Sequence, residues 1–375
     1  MKKSLGIYVH LPFCLKKCLY CDFCSFPNPE EGIYEAYTSR LLESISAASA
    51  VCSEYEVDTV YLGGGTPTLL PIACHQKLIK GIYNAFDVSP TAEISAECNP
   101  ATADLGYLRE LRNLGVNRLS IGLQSVHERE LRALGRAHSY GDFLDTYSNA
   151  RTAGFKNISA DLMYGIPEQT AASFRESLTA LAGLSPEHIS SYCLKIEKGT
   201  PFYETKDSLS LPDEDTEYEM YCSMSEILGL YGYEKYEISN FAKKDRHSRH
   251  NTRYWQGKEY LGFGVAAHSF FQNERFGNSR DMRAFLRGES IECERSAIGE
   301  RDELSEYIML SMRLSRGIEL SEFKKRFGVD FFQFYDKAEA LLKTGHLATD
   351  GKRIFFTDKG FFVSNTVLAD MLDFA

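Results

Sequence analysis

The sequence predicts an α/β protein with parallel strands and a functional site at their carboxyl ends. Compact apolar and β-branched runs alternate with segments of helical periodicity, glycines close several of those helices, and about six such units fit into roughly 230 residues. Strands separated by helices of this length pair in parallel through right-handed crossovers. Six units are too few for a closed eight-stranded barrel. An open curved sheet and a doubly wound sheet both satisfy the pattern.

In chain order, residues 7–10 read as a short buried strand that runs into a cysteine-rich loop, after which Pro27, Asn28 and Pro29 break the chain. Tyr37, Leu41, Leu42 and Ile45 recur at helical spacing within 34–50, and 59–62 form a strand that ends at Gly63, Gly64, Gly65, Thr66 and Pro67. Strands follow at 93–97, 116–122, 157–162 and 188–194. The helices between them cover 105–114, 141–153 and 170–182 and stop at Gly115, Gly154 and Gly183, where a left-handed residue ends a helix without strain. A long helix at 213–231 closes at Gly232 and leads to the strand-like YEKYEISNF and a charged, irregular stretch at 243–253. Beyond Arg301 the pattern changes to helices at 303–314, 320–327 and 331–344, then a strand at 354–357. The expected division is a main domain at 1–242, a linking segment at 243–300 and a small winged-helix-like domain at 301–375.

A chain of 375 residues, 43% hydrophobic and 13% aromatic, can bury a sizeable core. Its net charge of −10 disfavours nucleic-acid binding, and residues 301–375 hold 11 Lys+Arg against 12 Asp+Glu, which argues against a DNA-binding winged helix. The ten cysteines fall into one tight triplet plus singletons, a pattern suited to a reducing cytosol. In MKKSLGIYVHLPF the apolar run is too short, and too broken by Ser4, Gly6 and His10, for a signal peptide. A soluble cytoplasmic protein is expected.

The triplet is Cys14, Cys18 and Cys21, spaced C-x3-C-x2-C within YVHLPFCLKKCLYCDFCS. Structural zinc wants four ligands, usually as two separated pairs, and adding Cys24 makes a crowded set. Three thiolates suit a [4Fe–4S] cluster that leaves one iron open to a small chelating ligand. Buried structural cysteines have no reason to gather on a lysine-bearing loop.

With Tyr20 just before the third cysteine, this loop resembles that of radical S-adenosylmethionine (SAM) proteins. The resemblance implies a partial (β/α)6 barrel, open and curved, with Cys14, Cys18 and Cys21 on the cluster. It further implies SAM contacts from Tyr8, Tyr20, Gly64, Gly65, Thr66, Glu97, Gln124, Arg136 and Asp161. Carboxylates suit ribose hydroxyls, and Arg136 suits a two-point contact with the methionine carboxylate.

YVHLPFC, LGGGTPT, SIGLQS and DLMYGIPEQT together resemble the branch that contains oxygen-independent coproporphyrinogen III dehydrogenase and the HemW-type haem chaperones. The dehydrogenases carry a further cysteine where Phe23 stands here, and the chaperones carry HNxxYW, present as His250, Asn251, Thr252, Arg253, Tyr254 and Trp255. Cys24 matches neither pattern. The implied function is haem transfer, with His250 as iron ligand and His247 and His268 as substitutes. Its partners would be haem, an acceptor protein and an electron donor for the cluster, with any membrane contact made through the acceptor. The competing expectation is an enzyme that decarboxylates porphyrinogen propionates.

Overall fold

A computed structural model describes residues 2–27 and 29–372. Six parallel strands come in sequence order: β1 (Lys3–Leu11), β2 (Tyr55–Gly64), β3 (Val88–Cys98), β4 (Arg118–Gln124), β5 (Ile158–Tyr164) and β6 (His188–Cys193). Between them run α1 (Ile33–Ser49), α2 (Ile72–Ala85), α3 (Leu105–Asn113), α4 (Glu128–Ala133), α5 (Tyr140–Thr152) and α6 (Ala171–Leu184), and α7 (Glu214–Leu230) follows β6. Helices α3, α5, α6 and α7 start at Asp104, Ser139, Thr170 and Asp213, whose side chains accept from backbone N–H groups of the first turn. The α2 helix has no counterpart in the sequence reading.

From Leu5 onward nearly every residue of β1 is buried because both of its faces are covered, as parallel strands require. Leu5, Ile7, Val9 and Leu11 are fully buried in the core that also holds Tyr37, Leu41 and Ile45 of α1. The β4 strand is buried from end to end.

The sheet extends past the six strands on both sides. Beyond β6 lie β8 (Asn240–Ala242), antiparallel to it, and then β7 (Glu234–Lys235). Beyond β1 lie β9 (Tyr260–Phe263), parallel to β1, and the antiparallel strands β10 (His268–Phe271), β11 (Glu274–Asn278) and β12 (Glu292–Ala297). Among the described residues the two outermost strands do not pair, so the barrel stays open. Residues 243–300, expected as a link, therefore supply four strands of the main sheet. The first of them, β9, pairs with β1 some 250 residues away in the chain, a pairing that local pattern does not reveal, and the other three follow from it as local antiparallel neighbours.

Three further expectations are corrected. Gly183 lies inside α6, which ends at Ser185 in the left-handed conformation, φ 60°. The expected helix over 331–344 divides into Phe331–Phe334 and Ala338–Lys343. The stretch 243–253, expected to be irregular, contains most of helix α8 (Arg249–Trp255), capped by the Ser248 side chain. The C-terminal region runs helix (Glu300–Ser311), strand (Ile318–Glu319), helix (Leu320–Phe327), the two short helices just named and two strands, Leu347–Thr349 and Arg353–Phe356, the strands forming one antiparallel sheet. No helix among the described residues is long and apolar enough to cross a membrane.

The α8 helix plugs the barrel at the amino ends of its strands. The N–H groups of Arg249 and His250 donate to the Glu93 carboxylate at 2.9 and 3.2 Å, a favourable place for an anion at a helix start. Arg253, almost wholly buried, donates to the Ser4 hydroxyl, the carbonyls of Ser4 and Glu259, and the Asp58 carboxylate. A Cβ on Gly6 would meet the Arg253 side chain at 2.6 Å, so the strand gives up a side chain to admit it. Removing one partner of a buried ion pair strands the other charge. Arg253→Met is expected to cost about 3–5 kcal/mol of unfolding free energy in denaturant titration, whereas the exposed Arg249→Met should cost well under half of that.

Candidate cofactor-binding site

At the carboxyl ends of the strands opens a cavity of about 380 Å³. The cysteine loop forms one wall. Its base is stapled where Phe13–Cys14 pairs in parallel with Phe26–Pro27, and its tip is held by Leu19, whose N–H donates to the Leu134 carbonyl while its carbonyl accepts from Phe202 N–H. Cys14, Cys18 and Cys21 all line the cavity. Burial pushes the Cys14 thiol up and the Cys21 thiol up to about 11, so both would release a proton on binding a metal.

The glycine loop forms the second wall. Gly65 N–H donates to the Leu11 carbonyl at 3.0 Å and Thr66 N–H to the Phe13 carbonyl at 2.7 Å, which carries the β1–β2 ladder into the loop. Gly64 has φ +107°, and a Cβ there would fall 2.3 Å from the His10 ring. That imidazole is fixed in turn, Nε2 bonded to the Cys24 carbonyl at 2.8 Å and Nδ1 to the Tyr8 hydroxyl at 2.9 Å. Since a carbonyl only accepts, Nε2 carries the proton and Nδ1 accepts from Tyr8.

Later strands supply the polar residues. Glu97 ends β3 and accepts from Gly64 N–H at 2.9 Å and from the Tyr61 hydroxyl at 3.0 Å. Burial raises its carboxyl to about 7, against the pull of those two donors. Asp161 accepts from Ser120 and Ser159, and Gln124, held at φ 72°, accepts from the Tyr192 hydroxyl. Arg136 reaches Cys18 Sγ at 3.6 Å, Asn99 Oδ1 at 3.0 Å and the Gly122 carbonyl at 2.9 Å.

Of the residues singled out in the sequence, Cys14, Cys18, Cys21, Tyr20, Gly64, Gly65, Glu97, Gln124, Arg136 and Asp161 line this one cavity. Thr66 lies behind it, its hydroxyl donating to Cys14 Sγ at 3.7 Å and accepting from Asn99. Tyr8 is deeper, in loose stacking with Tyr61 and His250. His250 is 1% exposed, and both ring nitrogens are engaged, Nδ1 with the Thr59 hydroxyl at 2.9 Å and Nε2 with the Tyr254 hydroxyl at 2.8 Å. Burial, then the charges of Arg253 and Arg118, lower its pKa to about 3. As folded, it offers no nitrogen to a haem iron. His250, expected as the iron ligand, is thus placed with its ring turned into the barrel by α8.

Sequence reasoning missed Arg118, Asn99, Ser120 and Tyr192, which also line the cavity. Arg118 is 1% exposed, and its Nε has no hydrogen-bond partner. An arginine opening the otherwise apolar run RLSIGL was the available signal, since a buried cation is rare unless something answers it.

The radical SAM superfamily description matches residues 8–181, and that of the HemN C-terminal domain matches 298–363. The chain is 30% identical over 380 residues to the heme chaperone HemW of Lactococcus lactis, covering 99% of this chain and 98% of that one. The HemW of Escherichia coli is 31% identical, covering 97% of each chain. This chain belongs to the HemW family of radical SAM proteins. In fold it matches the solved structure of coproporphyrinogen III oxidase HemN from Escherichia coli, a radical SAM enzyme, with a TM-score of 0.86 at 24% identity over 100% of this chain and 91% of that one.

Radical SAM membership implies a [4Fe–4S] cluster and SAM, and the cavity suits them. Three cysteines line one cavity, the Nε atoms of Arg118 and Arg136 are buried without partners, and Gly64 and Gly65 leave no room for side chains.

Glu237, 1% exposed beside the cavity residues Ser239 and Asn240, accepts from Ser239 N–H at 3.0 Å, and burial raises it to about 7. Between its unfolded and folded pKa the native state holds a proton that the unfolded chain lacks, so this contribution to stability falls as pH rises through that window. Glu237→Gln should gain on the wild type between about pH 5 and pH 8, by up to about 3 kcal/mol. Denaturation curves recorded across that range would contradict the assignment if the difference stayed constant.

Proposed function

We propose that this protein is a haem chaperone: it binds haem and passes it to an acceptor protein, with a SAM-bound [4Fe–4S] cluster influencing the transfer. The observation that carries the reading is the convergence of three cysteine thiols, Arg136 and Glu97 on one cavity, in a chain related to HemW along nearly its whole length. Cys14, Cys18 and Cys21 hold the cluster, which when bound with SAM supplies one-electron chemistry. Arg136 meets the methionine carboxylate, a charge-assisted contact that fixes orientation. Gly64 and Gly65 frame the amino group with Thr66 supporting them from behind, and Glu97, Gln124 and Asp161 receive the ribose. Tyr8, held through His10, and Tyr20 complete the enclosure and exclude water. Haem, the acceptor and an electron donor are the partners, and the cytoplasm is the compartment.

Anaerobically reconstituted protein titrated with haem should develop a Soret band and pass haem to an acceptor. Absence of the band would sink the reading, and mass spectrometry that found propionate loss from coproporphyrinogen III would favour the enzyme instead.

The raised carboxyl of Glu97 makes a second expectation. A cationic sulfonium and donating ribose hydroxyls favour the ionised form, so SAM binding expels the proton below about pH 7. SAM affinity should rise with pH up to about 7, by at most tenfold per unit, and level off above it. Calorimetry in Glu97→Gln should give a weaker affinity without that slope, whereas an unchanged slope would exclude Glu97 as its source.

A further inference from the structure

Three histidines, His250, His247 and His268, stand as candidates for the haem iron. His250 is sealed in the barrel with both nitrogens bonded, as described above. His247 adjoins the Ser248 cap at the amino ends of the strands, away from the cysteine loop, and Tyr236 covers one face of its ring at a centroid distance of 4.1 Å. His268 opens strand β10, is exposed, and makes no side-chain hydrogen bond among the described residues.

Its surroundings are those of a ligand seat. His268 pairs with Gly277 on β11, and a Cβ on Gly277 would fall 2.8 Å from His268 Nδ1 and 2.9 Å from Cε1. The imidazole thus lies directly on a bare backbone, which sets its orientation and leaves space that any other residue would fill. Arg280 follows Gly277 by three residues, at most about 10 Å of chain. Its guanidinium is 64% exposed and stands 3.7 Å from Asp22 of the cysteine loop. Next in that loop is Phe23, 68% exposed and lining the mouth of the cavity. On the other side of Gly277 its paired residue is Glu294, whose charge repels carboxylates.

We infer that haem binds on this surface with His268 as the axial ligand to iron, its propionates directed toward Arg280 and its apolar edge toward Phe23. The inference rests on the haem-chaperone reading and adds the ligand and the place. A neutral imidazole is a common haem iron ligand, and an arginine meets a carboxylate well. Haem so placed would border the cysteine loop, which gives the SAM site a physical route to influence its release.

The test is hemin titration of wild type, His268→Ala, His250→Ala and Gly277→Leu in the reconstituted protein, read by Soret position, Kd and electron paramagnetic resonance. His268→Ala should weaken binding at least tenfold and shift the Soret band, with the wild-type signature restored by added imidazole. Gly277→Leu should also weaken binding by displacing the ring, while His250→Ala should keep the wild-type band position. If wild type binds and His268→Ala has the same Kd, band position and resonance signals, the inference is overturned while the chaperone reading stands. If wild type binds no hemin, the chaperone reading itself fails.

Discussion

At the ends of β1 and β2 two backbones approach so closely that a side chain cannot stand between them. A Cβ on Gly65 would lie 2.7 Å from both the nitrogen and the carbonyl oxygen of Phe13. That contact joins the cysteine loop to the glycine loop. From it follow the Thr66 bonds to the Phe13 carbonyl and to Cys14 Sγ, the packing of Gly64 on the His10 ring, and the grip of His10 on Cys24 and Tyr8. The cysteines are therefore carried on a loop registered to the sheet. A group that must be held to within a fraction of an ångström needs that kind of support.

The cavity concentrates polar side chains in an apolar barrel, and the energetics of burial explain their arrangement. Glu97 and Asp161 each accept from neutral donors that answer them only in part, and Arg118, with an unpartnered Nε, exerts its charge on both carboxylates. Partly answered charges are costly in a folded core. They mark a site shaped for a charged ligand with its own donors and acceptors, and the raised pKa of Glu97 is the sign of that incomplete compensation.

At the other end of the barrel, the HNTRYW helix supports the site from beneath. His250 stacks on Tyr61 at a centroid distance of 5.3 Å, and Tyr61 donates to Glu97. A motif set in a run of charged residues is thus turned inward by Arg253, which has Asp58, Ser4 and Glu259 to receive it. The same rotation takes His250 off the surface and leaves His268, on the neighbouring extension of the sheet, as an exposed imidazole.

Much of this was legible in the chain itself. Strand and helix alternation followed from local hydrophobic period, the cysteine spacing from the demands of a cluster, and the cavity residues from polar side chains at strand ends, because each signal lies within a few neighbouring residues. The tertiary structure alone decided which way α8 faces, that residues 260–297 extend the main sheet, and that Arg118 points into the cavity. Those outcomes depend on pairings such as Gly6 with Tyr260 and Arg253 with Ser4. Contacts between residues so far apart in sequence leave no local period to read, since only closure of the whole fold brings their partners together.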